Sequence, residues 1–348
     1  MIPQKPAGSS TPQKPAGSST LQLLVHEPGF LTTVQDLGRE GCERFGVPVS
    51  GVMDRLALMA ANALVGNPPG AAGLEFVLLG PVLEIASAPR TSGELQGFHA
   101  SVSGNGCLVA AAGRGFRLEI GGRAIPLWMA AWARRGERIA LKAAGPGWGY
   151  LAVGGGIDVP PVMGSRSTYL RSGFGGLGGR TLQAGDVLDI GPAAGGYELA
   201  GRELPDELRP AYSDHPLIDV VLGPQAEAFT ETGLAAFLGG EYTLTPACDR
   251  MGFRLSGPQI GHRQGADILS EGIPLGAVQV PGDGQPIVLM ADRQTTGGYA
   301  KIAVVASASL PLLVQCPPGC GSVHFRAVSV GEAQAKWRRA LWTRSSIG

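Results

Sequence analysis

Apolar residues in this chain occur in short runs that end at glycine or proline. Glycine supplies 55 and proline 27 of the 348 residues, and neither continues easily through a helix interior. The runs have the length and the β-branched or aromatic content of strands; examples are LQLLVHE, FRLEIGG, GYLAVGG and LIDVVLG. Most connections between them are too short for a doubly wound α/β sheet. The pattern therefore predicts a mainly β protein with tight turns.

Three segments depart from this pattern and are predicted to be helical. In MDRLALMAANALVGNPP, Leu56, Met59, Ala60 and Ala63 fall at helical spacing behind Asp54, a candidate N-cap. The other two segments are PQAEAFTETGLAAFLGG and EAQAKWRRALW. The two halves also echo each other, since FVLLGP resembles FRLSGP and MDR resembles CDR. A duplicated β-barrel with a few short helices is the fold that these patterns favour.

Composition divides the chain into four parts. PQKPAGSST occurs twice in residues 3–20, and a repeat so poor in apolar residues buries no core, so residues 1–20 are predicted to be a disordered Pro/Ser/Gly tail. Residues 21–205 are predicted to form an N-terminal barrel domain. A proline-rich linker follows at residues 206–216, and residues 217–348 complete a C-terminal barrel domain with a terminal helix.

Charge and cysteine content narrow the class of partner. Lys+Arg and Asp+Glu both number 28, which gives no basic footprint for nucleic acid or an anionic membrane. The five cysteines are an odd, scattered set without a second pair for zinc, as in proteins with reduced cytosolic thiols. The sequence begins without an apolar signal region. We therefore expect a cytoplasmic protein that binds a small molecule or another protein.

Several common catalytic motifs are absent from the sequence. It has no G-x-x-x-x-G-K-[ST] for phosphate and no H-E-x-x-H for zinc. GGLGGRTL lacks the strand and helix that flank a dinucleotide fingerprint, and neither GNGC nor GSRS makes the elbow of a serine hydrolase. The sequence thus predicts no metal site and no nucleophilic serine.

Polar side chains instead gather in three clusters between predicted strands. The first is TTVQDLGREG and the second is ACDRMG. The third is ADRQTTGGYAKIAVV with its upstream neighbour SEGIPLGAVQVPGDG. Each is compatible with a polar turn or a structural ion pair. Three such clusters in a chain with only 16% charged residues favour a shared polar pocket.

Long motifs resemble one known family. They include TTVQDLGREGCERFGVPVSGVMDRLALMAANALVGN, YLAVGGGIDVPPVMGSRSTYL, CDRMGFRLSGP and SEGIPLGAVQVPGDGQPIVLMADRQTTGGYAKIAVV. This family is variously called the 5-oxoprolinase C subunit, KipA-like protein, allophanate hydrolase subunit 2 and biotin-dependent carboxyltransferase. The resemblance extends from Leu21 to about Phe325 and implies two tandem cyclophilin-like β-barrel domains.

The resemblance implies three alternative activities. The first is hydrolysis of 5-oxo-L-proline to L-glutamate with consumption of ATP, together with the A and KipI-like B subunits of the same enzyme. The second is transfer of a carboxyl group from carboxybiotin to urea or a similar amide. The third is binding of a KipI-like kinase inhibitor without turnover. Either enzymatic activity needs a site that holds a small amide and stabilises negative charge on its oxygen.

Roles follow for the residues of the three clusters. Asp292 or Glu271 is expected to act as general base or to accept from an amide N–H, and Arg293 or Arg250 to bind a carboxylate. The remaining candidates for substrate binding come from the same clusters: Gln279, Gln294, Thr295, Thr296, Gly297, Gly298, Tyr299, Lys301, Asp249, Gln35, Asp36 and Arg39.

The lysines bear on the choice between these activities. A biotinylated lysine normally follows methionine in proteins of this kind, and none of the five lysines here does. Any biotin is therefore expected on a separate carrier. Urea carboxylases are long fused chains, so a shorter, free-standing subunit favours the 5-oxoprolinase activity. Because ATP has no motif in this chain, its binding is expected to need the partner subunits.

Overall fold

A computed structural model describes residues 21–87 and 105–345. The predicted tail at residues 1–20 lies outside this range. Strands dominate the described part, as the glycine-bounded runs predict, and four α-helices accompany them. No helix in the described ranges is both long and apolar enough to cross a membrane.

Within its described residues, the first half contains eleven strands and one α-helix. The strands are β1 Leu21–Glu27, β2 Thr33–Gln35, β3 Gly73–Val77, β4 Val82–Ser87, β5 Gly106–Gly113, β6 Phe116–Ile120, β7 Arg123–Ile125, β8 Ala130–Arg134, β9 Arg138–Ala143, β10 Trp148–Val153 and β11 Val187–Asp189, and the helix is α1 Arg55–Leu64. They form two sheets, with the orders β11-β1-β4-β9-β6-β7 and β2-β3-β10-β5-β8. Leu23, Leu83 and Leu118 of one sheet pack with Leu74 and Leu151 of the other.

The second half closes into a seven-stranded barrel, β12-β19-β16-β17-β14-β13-β20, with a separate ribbon of β15 and β18. Its strands are β12 Leu217–Leu222, β13 Glu241–Leu244, β14 Gly252–Ser256, β15 Asp267–Gly272, β16 Ala277–Gln279, β17 Ile287–Leu289, β18 Thr296–Tyr299, β19 Lys301–Val305 and β20 Ser322–Ala327. Its helices are α2 Glu231–Gly239, α3 Leu310–Val314 and α4 Val330–Ser345. The mainly β fold with short helices is thus confirmed. Strand hydrogen bonds close the ring in the second half, whereas the first half keeps two sheets.

One apolar core extends across both halves. Side chains alternate along β5, so Val109 faces the core between the two sheets of the first half, while Leu108 and Ala110 face the core that both halves share. This shared core also contains the buried face of α1 and the barrel interior, including Leu58 and Leu244. The two halves are therefore packed against each other.

The segment predicted as a linker is attached to this shared core. Tyr212 donates a hydrogen bond from its hydroxyl to Asp54 Oδ2 at 2.6 Å. Asp54 caps α1 through Oδ1, which accepts from the Ala57 amide at 2.9 Å, as its position in the sequence predicts. Gln315, after α3, donates to the same carboxylate at 3.2 Å. Asp54 thus links the first half to two segments of the second.

Candidate functional site

The first polar cluster belongs to the first half of the chain, whereas the second cluster and part of the third meet at a large cavity. Asp249 and Arg250 precede β14, and Asp292 follows β17, which pairs with β14. The pairing brings Arg250 and Asp292 together, and the Asp292 amide donates to the Arg250 carbonyl at 2.7 Å. The second cluster and part of the third therefore form one group.

Arg250 is held by two carboxylates. Its Nε and Nη2 donate to Asp292 at 2.9 and 3.1 Å, and Nη1 donates to Glu75 of β3. Nη2 also donates to the Gly51 carbonyl at 2.6 Å. This fork-shaped pairing is the geometry in which Arg binds carboxylates most strongly. Arg250 therefore joins the two halves through side chains that are almost fully buried.

Burial and charge act in opposite directions on this group. Burial raises the pKa of Glu75, and Arg250 and the Met53 amide only partly offset that effect. Burial alone would lower the pKa of Arg250, but Asp292 and Glu75 outweigh it and raise that pKa. Tyr150, whose hydroxyl accepts from the Asp54 amide at 2.8 Å, has a pKa well above its ordinary value because of burial and the charge of Glu75. The group thus keeps Arg250 charged beside two acids.

A cavity of about 740 Å³ opens over this group between the two halves. Its polar side carries Asp249, Arg250 and Asp292, and the opposite walls are mainly apolar. The apolar and aromatic lining residues are Phe30, Leu31, Val77, Leu78, Pro146, Trp148, Tyr169, Leu170, Pro246, Met251, Phe253, Val314, Pro317 and Pro318. An apolar cavity with a few convergent polar groups is the usual form of a small-molecule site.

Arg171 adds an unneutralised cation to the same cavity. Its Nη1 lies 2.7 Å from Met251 Sδ, and among the described residues it forms no ion pair with a carboxylate. Arg250, by contrast, already binds two carboxylates. Of the two arginines in this cavity, Arg171 is the one available to an anionic ligand.

The first cluster packs against the loop at residues 165–168, and part of it is buried without a partner: Gln35 Oε1, Arg39 Nε and Arg39 Nη1 have no hydrogen bond among the described residues. Asp36 accepts from Ser165 Oγ and the Arg166 amide, both at 2.6 Å. Gln35 donates to Thr33 Oγ1 and to the Thr168 carbonyl, each at 3.1 Å. The fully buried Arg39 donates to the Ser167 carbonyl and lies 4.9 Å from the centre of the Phe174 ring. Burial lowers the pKa of Arg39, although Asp36 and Asp292 oppose the shift. These contacts hold the loop at residues 165–168 in place.

The rest of the third cluster forms its own group on the β15–β18 ribbon. Glu271 of β15 pairs with Gly297 of β18 and lies 2.5 Å from Lys301 Nζ. The hydrogen bond from Lys301 lowers the pKa of the Glu271 carboxyl. Gln279 donates to the Tyr299 carbonyl at 3.3 Å. This group does not share the large cavity.

Gly297 lies where the structure leaves no room for a side chain. A Cβ at Gly297 would lie 2.5 Å from Ile273 Cδ1, 3.1 Å from Gln279 Nε2 and 3.6 Å from Gln294 Nε2. Thr295 accepts at its carbonyl from the Ile273 amide at 3.1 Å. Thr296 and Gly298 complete β18. The two glutamine side chains therefore approach the ribbon backbone closely.

Arg293 faces away from its neighbour Asp292. Its Nε donates to the Ile273 carbonyl at 2.9 Å, and its side chain lines a second, smaller cavity. The structure therefore brings together Asp249, Arg250 and Asp292, but places Arg293 and Glu271 elsewhere. The expected roles of all these residues stay predictions.

Sequence reasoning missed Glu75 and Arg171. Glu75 stands in the apolar run GLEFV, where a lone acid is a signal of a buried partner. Arg171 lies in the loop TYLRSGF, and nothing in its local pattern separates it from a solvated arginine. Among the described residues, no three His, Cys, Asp or Glu side chains lie close enough to hold a metal ion.

Comparison with known proteins identifies relatives along most of the chain. A family model described as carboxyltransferase domain, subdomain A and B, matches residues 45–327. The C subunit of 5-oxoprolinase from Escherichia coli (strain K12) is 38% identical over 316 residues, which cover 89% of this chain and 93% of that protein. The urea amidolyase of Lachancea kluyveri is 31% identical over 326 residues, which cover 88% of this chain and 17% of that protein.

Two solved structures have a similar fold. TTHA0988 superposes with a TM-score of 0.75 at 35% identity, over 93% of this chain and 60% of that one. The Kluyveromyces lactis urea carboxylase superposes with a TM-score of 0.83 at 28% identity, over 95% of this chain and 29% of that one. The chain thus spans less than two thirds of either structure.

Proposed function

Because this chain belongs to the family of the carboxyltransferase domain, subdomain A and B, we propose that it is the C subunit of an ATP-dependent 5-oxoprolinase. In this proposal a cytoplasmic complex with the A and KipI-like B subunits hydrolyses 5-oxo-L-proline to L-glutamate. The observation that carries it is the match at 38% identity to 93% of a 5-oxoprolinase C subunit. The match to a urea amidolyase has lower identity and covers 17% of that protein.

The large cavity supports this substrate class. A pyrrolidinone ring is compact and mostly apolar, which suits the aromatic and aliphatic walls. Its carboxylate needs a cation, and Arg171 is a cation in the cavity without an acidic partner among the described residues. Its lactam N–H needs an acceptor, for which Asp249 and Asp292 lie on the polar side. We assign the carboxylate to Arg171 and the lactam N–H to these two acids.

The chain's own contribution is then to bind and orient the amide. ATP supplies the driving force in the complex, and we assign its binding to the partner subunits because the sequence has no phosphate-loop motif. Arg250 stays bound to Asp292 and Glu75 and positions the Asp292 carboxylate. Substitution of Glu271 and of Arg293 would test the roles that the sequence predicts for them.

The test is glutamate release from 5-oxo-L-proline and ATP by this chain mixed with its candidate A and B partners, with each component omitted in turn. Release that requires this chain supports the proposal. Arg171→Met should raise KM about tenfold or more, since a charge-assisted hydrogen bond is lost. The matched control is Arg123→Met on β7, which lies outside the cavity and 3.3 Å from Glu137, and it should leave KM unchanged.

A second candidate function is carboxyl transfer from biotin on a separate carrier to urea or a similar amide. The similarity to the Kluyveromyces lactis urea carboxylase favours it. If the assembled complex releases no glutamate, the same chain is assayed with a biotinylated carrier, bicarbonate and urea. Failure of both assays while a KipI-like protein still binds would favour the antagonist function instead.

A further inference from the structure

A second cavity, of about 270 Å³, is lined by Arg293, whereas its chain neighbour Asp292 lines the large cavity. No described residue lines both this cavity and the large one. Its charged and polar lining residues are Glu40, Glu43, Ser50, Arg55 and Arg293, and its apolar ones are Leu37, Val49, Val52, Met53, Leu275, Met290, Ala291 and Leu310. It combines both signs of charge with an apolar wall.

Arg293 is a buried cation without an anion bound to it. The residue is 6% exposed, and its hydrogen bonds go to two carbonyl oxygens, Ile273 at 2.9 Å and Met290 at 3.5 Å. Within the described residues no carboxylate lies within ion-pair distance of it. A buried charge is costly unless it is paired. An anionic group of a ligand would offset that cost.

Ser50 brings an unused hydroxyl to the same cavity. It is 4% exposed, and its Oγ has no hydrogen-bond partner among the described residues. Its φ of 55° is unusual for a residue other than glycine. The Ser50 amide donates to the Ala291 carbonyl at 3.1 Å, which ties this loop to the segment that precedes Arg293. Buried hydroxyls are normally hydrogen-bonded, so a ligand oxygen is a natural partner.

The acidic lining residues supply the opposite charge. Glu43 lines the same cavity as Arg293 and partly opposes the lowering of the Arg293 pKa by burial; its carboxylate accepts from the Gly41 amide at 2.9 Å. Glu40 lies 3.3 Å from Arg55. A ligand with a carboxylate at Arg293 and an ammonium at Glu43 would match both groups. A simple anion would use only one of them.

A third cavity, of about 100 Å³, adjoins the second and indicates the side chain of such a ligand. The two share Met53, Arg55, Leu275 and Leu310 as lining residues. The remaining lining residues of the small cavity are Ser307, Pro311 and Trp337. Its walls are mostly apolar, so they suit an aliphatic group and give a second carboxylate no free cation.

We propose that these adjoining cavities bind a free α-amino acid with an apolar side chain. Its carboxylate lies at Arg293 and Ser50, its ammonium at Glu43, and its side chain between Met53, Leu310 and Trp337. The site is separate from the large cavity, so this proposal does not depend on the 5-oxoprolinase activity.

Calorimetric titration of the full chain alone with L-leucine tests the proposal. L-Leucine should bind, whereas N-acetyl-L-leucine and L-leucinamide, which each lack one charge, should bind about tenfold more weakly or worse. 5-Oxo-L-proline has no ammonium and should not compete. Absence of heat with L-leucine, or equal binding of the acetylated compound, would overturn the amino-acid assignment. Neither outcome depends on turnover by a complex.

Two variants locate the site. Arg293→Met should weaken L-leucine binding about tenfold or more. Ser50→Gly removes the hydroxyl while suiting the positive φ, so it should weaken binding without loss of melting temperature. The matched control is Arg135→Met, an exposed arginine in the turn before β9, which should bind L-leucine normally. Unchanged binding in Ser50→Gly and Arg293→Met would place the ligand elsewhere and refute the site.

Discussion

At the scale of single residues, Arg250 stands out because its partners come from distant parts of the chain. Glu75, Gly51 and Asp292 all accept from one guanidinium group. Removing one partner of a buried ion pair leaves an uncompensated charge, which costs more than the pair contributes when intact. Asp292 therefore contributes to stability as well as to the cavity.

Asp292→Ala should lower the free energy of unfolding by about 1–3 kcal/mol, because Arg250 Nε loses its acceptor while Glu75 still compensates the charge. Denaturant titration of the isolated chain measures the loss. Glu207→Ala is the control, because Glu207 is an exposed acid in the segment before β12, and its midpoint should stay close to that of the parent. Equal midpoints for the two variants would mean that the Arg250 pairing does not stabilise the fold.

The sequence marked these residues as members of polar clusters, but it did not predict their grouping. Asp249, Arg250 and Asp292 meet because β14 pairs with β17, and local pattern does not reveal that pairing. Asp292 and Arg293 are chain neighbours, yet they line different cavities. The apolar residues around Glu75 could have indicated a buried acid with a partner. Arg171 has no such local signal, because its place in the cavity depends on tertiary contacts.

At the scale of elements, the glycine-bounded runs predicted most strands, and the capped apolar pattern predicted α1. The ribbon of β15 and β18 was missed because Asp267–Gly272 and Thr296–Tyr299 are polar and largely exposed, so neither has the apolar alternation of a half-buried strand. The two strands pair through contacts between distant parts of the chain, which a local sequence pattern does not show.

The terminal helix α4 is attached to β12 through Asp219. Burial alone would raise the pKa of this carboxyl, but hydrogen bonds from Lys336 of α4 and Arg326 of β20 outweigh it and lower the pKa below 3.8. Arg326 Nε lies 2.8 Å from Asp219 Oδ1. One buried carboxylate therefore holds a helix and two strands.

The pH dependence follows from the lowered pKa of Asp219. The unfolded state binds its proton at higher pH than the folded state does, so the stabilisation is present above about pH 3.8 and is lost as the pH falls through the folded pKa. Asp219→Asn should therefore lower the melting temperature at neutral pH, and the difference from the parent should narrow in acid. Melting curves between pH 7 and pH 3 check this, and a constant difference would contradict it.

At the scale of the whole molecule, the shared core predicts that both halves unfold together. Leu58 of α1 and Leu244 of β13 belong to the same buried cluster and are 0% exposed. Leu58→Ala and Leu244→Ala should each lower the free energy of unfolding by about 2–5 kcal/mol. Scanning calorimetry should show one transition that both substitutions move to lower temperature. Two transitions, each moved by only one substitution, would show that the halves are independent.

The rim of the large cavity has a different relation to that core. Phe30, Leu31 and Leu78 line the cavity, yet each is about half exposed and belongs to neither apolar core. Substitutions there change the shape offered to a ligand while removing little buried surface, so their effect on stability is small. Selection can therefore explore new ligand preferences at this rim, and relatives with one scaffold can diverge in the ligands they accept without first acquiring a more stable fold.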